Sequence, residues 1–83
     1  MLTILFFGRL TEVAGIEQRV IPLPPGVADT AALREWLGRH DPALAEALAA
    51  PSTTIAVDGT VTRGIVPLTG GEEVAFMPPV SGG

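Results

Sequence analysis

The segment DTAALREWLG, residues 29–38, carries the clearest helical pattern in the chain, and the fold class depends on it. Asp29 or Thr30 can cap the first turn, because each side chain offers an oxygen to the free backbone N–H groups there. Leu33, Trp36 and Leu37 follow at the spacing that places side chains on one helical stripe. We therefore predict one main helix, ended by Gly38 and the Asp-Pro pair at 41–42, that buries a single face.

Short apolar runs lie on both sides of this helix and predict strands. They span residues 2–7, 18–23, 53–57, 60–62 and 73–77. Asp58-Gly59 lies between two of them and is typical of a two-residue hairpin turn. Pro22 favours an edge position for the second strand, because proline cannot donate to a neighbouring strand. Residues 12–18 are expected to form a connection, and residues 43–50 a short second helix.

This order of elements predicts an α+β fold, and the packing in which the last strand lies beside the first is the β-grasp arrangement. One main helix can cover only one face of a small mixed sheet. Residues 1–83 are expected to form a single domain, with residues 78–83 as a flexible C-terminal tail. The strand order cannot be read from periodicity, so β-grasp is one of several α+β packings open at this point.

Alternation along the first and last strands predicts which sheet face is buried. We assign the more uniformly apolar set to the helix-covered face: Leu2, Ile4, Phe6, Val74 and Phe76. Phe7 and Met77 then remain uncovered, and Val61 of the hairpin joins them. We expect these three side chains to contact a protein partner, since aromatic and Met side chains are favoured at such contacts.

Composition excludes several classes of function. The chain has no cysteine, a net charge of −4 and no lysine, which argues against thiolate chemistry, nucleic acid and anionic membranes. No segment resembles a signal peptide or a membrane span, so a cytoplasmic location is expected. His40 is expected to interact with the end of the main helix, and Glu72-Glu73 to be solvated charge. No metal or cofactor site is predicted.

The chain ends in FMPPVSGG, residues 76–83, and this ending carries the functional prediction. Pro78 and Pro79 stop the last strand and stiffen its exit, and we expect them to contact the same protein partner as Phe7 and Met77. Val80, Ser81 and Gly82 then lead to the Gly83 carboxylate through a segment thin enough to thread a narrow channel. A carboxylate becomes electrophilic once it is adenylated, so a partner enzyme could activate Gly83 while the carrier supplies no catalytic group.

Three motifs give the chain a family resemblance: LFFGRL at 5–10, LTGGEEVAF at 68–76 and PPVSGG at 78–83. Together they resemble the small sulfur-carrier subunit of molybdopterin synthase, the MoaD family of the ubiquitin-like MoaD/ThiS superfamily. The resemblance implies that an E1-like, MoeB-like enzyme uses ATP to adenylate Gly83, which becomes a thiocarboxylate. It also implies a heterotetramer with a MoaE-like large subunit, in which this sulfur passes to cyclic pyranopterin monophosphate during molybdenum cofactor biosynthesis.

The resemblance leaves alternatives open and includes departures. The family often has two aromatic residues before the prolines, whereas this chain has Phe76 and then Met77. A carrier for thiamine synthesis or a ubiquitin-like protein modifier would share the Gly-Gly ending, although thiamine carriers usually lack the PPVSGG context. A passive interaction domain would share only the fold. On the favoured interpretation the chain is a non-catalytic, sulfur-donating subunit that binds no cofactor itself.

Overall fold

The structure, a computed structural model, describes residues 1–78. These residues form five strands and three helices, and the elements follow the chain in this order: β1 (Leu2–Phe6), α1 (Arg9–Ala14), β2 (Gln18–Ile21), α2 (Thr30–His40), α3 (Pro42–Ala49), β3 (Thr54–Val57), β4 (Thr60–Thr62) and β5 (Glu73–Met77). The strands form one mixed sheet in the order β2-β1-β5-β3-β4. The central pair β1 and β5 is parallel and the other pairs are antiparallel. The α+β, β-grasp prediction is confirmed, with the last strand beside the first.

The helices cover one face of this sheet, and the core lies between them. The five side chains predicted for that face are at most 2% exposed: Leu2, Ile4, Phe6, Val74 and Phe76. Leu33 and Leu37 of α2 and Leu44 and Leu48 of α3 complete the same apolar cluster. Burying side chains of this size contributes roughly 1.5–3 kcal/mol each, so this layer supplies most of the drive to fold. The predicted covered face is therefore correct.

Trp36 departs from its predicted core position. It is half-buried at the edge of the core, and its ring stacks on His40 with the centroids 4.1 Å apart. His40 Nδ1 lies 2.9 Å from the Trp36 carbonyl oxygen, which confirms the expected interaction with the helix end. The two rings therefore close the C-terminal turn of α2.

The prediction of a plain connection over residues 12–18 is wrong, because most of that stretch belongs to α1 or β2. Leu10 is buried and Val13 and Ala14 are half-buried against the core, so α1 has its own apolar stripe at i, i+3 and i+4. Gly15 ends the helix in the left-handed conformation, with φ of 75°. The stripe was visible in the sequence, but six residues give too short a window for a periodic pattern to stand out.

Gly38 does not end the main helix, which continues to His40 and is capped at Asp41. A Cβ atom on Gly38 would lie 3.1 Å from both Cα and Cβ of Ala45 in α3. The glycine therefore allows the close approach of two helices rather than a chain reversal. Asp29 is the N-cap, since its carboxylate accepts a 2.8 Å hydrogen bond from the Ala32 N–H.

The remaining strand predictions hold with small shifts at the ends. The second strand lies at a sheet edge as predicted and stops before Pro22. The β3–β4 hairpin turns at Asp58 and Gly59, whose φ angles of 50° and 81° match the predicted turn. No helix within residues 1–78 is long and apolar enough to cross a membrane.

Candidate functional site

The sheet face opposite the helices carries a row of apolar side chains. Strand pairing aligns Leu5 of β1, Ala75 of β5, Ala56 of β3 and Val61 of β4 across four strands. The two alanines are 8% and 7% exposed, whereas Val61 is 59% exposed. Small buried residues therefore lie at the centre of this apolar row, and a larger exposed one lies at its margin.

Phe7 and Met77 extend this face toward one end of the sheet. Phe7 follows β1 directly and is 47% exposed, and its N–H donates a 3.1 Å hydrogen bond to the Phe76 carbonyl oxygen. Met77 is the last residue of β5 and is half-buried. The predicted exposure of Phe7 and Val61 is confirmed, while Met77 is more covered than predicted. We call the whole set the open-face patch: Leu5, Phe7, Ala56, Val61, Ala75 and Met77.

The base of the C-terminal tail lies beside this patch. Pro78 is half-buried, and a Cβ atom on Gly8 would lie 2.9 Å from its Cγ atom. Gly8 also has a φ of 57°, so two independent constraints favour glycine there. Since β1 and β5 run in parallel, Phe7 and Pro78 leave the sheet at the same end. The other predicted tail and contact residues lie outside the described part of the chain: Pro79, Val80, Ser81, Gly82 and Gly83.

Glu72 has a structural role that the sequence analysis missed. Its carboxylate accepts hydrogen bonds from the backbone N–H groups of Thr69, Gly70 and Gly71 at 2.9–3.1 Å, and from the Thr69 hydroxyl at 3.0 Å. The Thr69 backbone N–H contributes most to lowering the pKa of this carboxyl from 4.5 to about 2, because these bonds favour the charged form. Glu72 is thus a turn cap, not a freely solvated charge.

The geometry of residues 1–78 supports docking on a partner. The strongest electrostatic perturbation is at the Glu72 turn, which holds the loop before β5 in place. Within the same residues, no group of three or more His, Cys, Asp or Glu side chains could hold a metal ion. An exposed apolar face beside the start of a predicted reactive tail is suited to orienting that tail on a partner.

Comparisons with known proteins identify a family and several relatives of this chain. The model of the ThiS family matches residues 4–83. Two curated relatives, each called "Molybdopterin synthase sulfur carrier subunit", come from Haemophilus influenzae and Escherichia coli. Each relative is 34% identical to this chain over 83 residues, and each alignment covers 100% of this chain and 100% of the relative. The crystal structure of SAMP1 from Haloferax volcanii has a TM-score of 0.81 at 25% identity, and the match covers 99% of this chain and 98% of that one.

Proposed function

The chain belongs to the ThiS family, and from that membership we propose that it is the sulfur carrier subunit of a molybdopterin synthase. The observation that carries the proposal is the full-length similarity to two sulfur carrier subunits, which extends to the last residue of each chain. The same relatives favour molybdenum cofactor biosynthesis over the thiamine pathway. The chain is accordingly a non-catalytic subunit that works with a large catalytic subunit.

The chemistry of the carrier takes place at Gly83. An E1-like enzyme joins the Gly83 carboxylate to the α-phosphate of ATP and releases pyrophosphate. Hydrosulfide from the sulfur source then attacks the acyl carbon, the bond from this carbon to the phosphate oxygen breaks and AMP departs, and loss of a proton leaves a terminal thiocarboxylate. In the large subunit this sulfur passes to cyclic pyranopterin monophosphate, and the acyl group returns to a carboxylate with an oxygen from water. All catalytic groups belong to the two partner enzymes.

The carrier's body determines where the reactive end is delivered. The open-face patch docks on the large subunit, and Phe7 and Met77 contact it next to the tail. Pro78 and Pro79 stiffen the start of the tail, since each proline fixes its own φ. Gly82, Ser81 and Val80 thread the channel that leads to the large subunit's active site. Docking and delivery are coupled because Phe7 and Met77 of the patch lie at the same end of β1 and β5 as Pro78.

Deletion of Gly83 tests the proposal in a reconstituted system with the activating enzyme, ATP, a sulfur source and the large subunit. The shortened protein should keep its unfolding temperature, because Gly83 follows the last strand, and molybdopterin formation should stop. Retained molybdopterin formation by the shortened protein would contradict the proposal. A wild-type thiocarboxylate that the large subunit does not accept would instead favour a carrier for another sulfur pathway.

A further inference from the structure

Two of the chain's five arginines meet at a groove that the proposed chemistry does not use. The groove lies where α2 meets the β3–β4 end of the sheet and has a volume of about 510 Å³. Arg34 from α2 and Arg63, which follows β4, both line it. Both arginines also line a second, smaller groove next to it, together with Gly64 and the 68% exposed Ile65. The larger groove has room for a side chain, not only for a small ion.

Arg34 is held in place but is left with unused hydrogen-bonding capacity. Its Nη2 donates a long 3.3 Å hydrogen bond to the Thr53 carbonyl oxygen. Its Nε is buried and has no hydrogen-bond partner among residues 1–78. A buried donor without a partner costs free energy. Of the guanidinium's five N–H groups, one at Nη2 is hydrogen-bonded within residues 1–78, so donors remain for a ligand in the groove.

The charges around the groove point to an anion. No carboxylate is among the described residues that line either groove, although the chain has nine acidic residues and a net charge of −4. Two positive side chains that line one groove repel each other, and an incoming negative charge relieves that repulsion. The planar guanidinium fork matches a carboxylate, which can accept two parallel hydrogen bonds from it.

The position of the groove indicates where the carboxylate comes from. Val61 belongs both to the larger groove and to the open-face patch, so the two surfaces are continuous. A protein that covers the patch as far as Val61 borders the groove. We infer that the Arg34–Arg63 groove binds an acidic side chain of the large catalytic subunit when that subunit docks on the open-face patch. This inference rests on the proposed function, because it requires that subunit as the partner.

Charge reversal at Arg63 tests the inference, and Arg39 provides a matched control. Arg63 is exposed, so Arg63→Glu should leave the fold intact. Arg39→Glu makes the same change of net charge on an exposed residue of α2. Arg39 lines a third groove, against α3, which includes Arg34 but not Arg63. Titration calorimetry measures the affinity of both variants, of Arg63→Gln and of the wild type for the large subunit from the same organism. Each titration is done at low and at high ionic strength.

We expect Arg63→Glu to weaken binding by about tenfold or more at low ionic strength, and Arg63→Gln by roughly three- to tenfold. Arg39→Glu should change the affinity by less than about twofold. The difference in affinity between Arg63→Glu and the wild type should become smaller at high ionic strength, because salt screens the attraction that the variant has lost. Equal affinities for Arg63→Glu and Arg39→Glu would overturn the inference.

The other results separate this inference from the proposed function. If Phe7→Ala weakens binding while Arg63→Glu does not, the docking surface stands and the groove assignment is wrong. If the wild type does not bind the large subunit at all, the proposed partner and the groove assignment are both wrong. If Arg63→Glu weakens binding only to the adenylating enzyme, the acidic side chain belongs to that enzyme and the inference is also overturned.

Discussion

Truncation of Phe7 to alanine should separate partner binding from folding. The Phe7 side chain is 47% exposed and lies outside the buried core cluster. A phenylalanine can bury about 150–250 Å², so docking can remove roughly 70–120 Å² of this side chain from water. At about 25 cal/mol per Å² this area corresponds to about 2–3 kcal/mol of binding free energy. We therefore expect Phe7→Ala to raise the Kd for the large subunit by roughly 30- to 150-fold.

Titration calorimetry measures this change, and thermal unfolding checks that the variant is folded. Val20→Ala is the matched control, because Val20 is 48% exposed and lies on the same sheet face, beside Thr3 at the opposite end from the tail. Its affinity should stay within about twofold of wild type. An unchanged Kd for a folded Phe7→Ala protein would refute the assignment of Phe7 to the interface. An equal loss for Val20→Ala would show that the contact is not centred on the open-face patch.

Three further changes test separate parts of the account. Gly82→Val should reduce molybdopterin formation more than Gly82→Ala while binding to the large subunit persists, and equal activities would show that the tip is not sterically confined. Glu72→Gln should lower the unfolding temperature at pH 7. The difference in unfolding temperature from the wild type should disappear as pH falls from 4.5 to about 2, because protonation of Glu72 in the wild type removes the stabilisation given by its charged form. A pH-independent difference would argue against the carboxylate cap. Gly38→Val should lower the free energy of unfolding by about 1–3 kcal/mol by forcing α2 and α3 apart. Denaturant titration measures this change, and Gly64→Ala is the control. That variant should be nearly neutral, because nothing lies within 4 Å of its added Cβ. Equal stabilities of Gly38→Val and the wild type would show that the helices tolerate the bulk.

The regular parts of the fold could be predicted because each has a local physical signal. The Leu33–Leu37 stripe, the Asp58-Gly59 turn and the alternation in β1 and β5 each depend on residues close together in the chain. The buried face followed from these signals, since only one face could be covered by the main helix. These parts of the prediction required no knowledge of long-range contacts.

The errors arose where a residue's role depends on a neighbour that is distant in sequence or on one specific side-chain geometry. Gly38 carries a general helix-ending signal, but the approach of Ala45 determines that it lies inside α2. Glu72 appears as an ordinary surface charge until the loop conformation brings three backbone N–H groups toward it. Trp36 has the spacing of a core residue, yet its stacking with His40 places it at the margin.

The candidate site also has features that the sequence predicts and features that depend on the folded structure. The exposure of Phe7 and Val61 followed from alternation, whereas the two small residues at the centre of the patch required the strand register. The presence of Arg34 and Arg63 in one groove was not predictable either. The two residues are separated by 28 residues in the chain, and only the folded arrangement of α2 and the sheet edge brings them together. Sequence periodicity can indicate which face a side chain occupies, but not which residues from other elements lie beside it.

The mass of the intact protein after activation tests the central claim most directly. The carrier is incubated with the E1-like enzyme, ATP and a sulfur source, and its mass is compared with that of the untreated protein. We predict a gain equal to the replacement of one oxygen by one sulfur, confined to the C-terminal peptide and dependent on ATP. An unchanged mass under conditions in which the same enzyme activates an established carrier would contradict the assignment of this chain as a sulfur carrier.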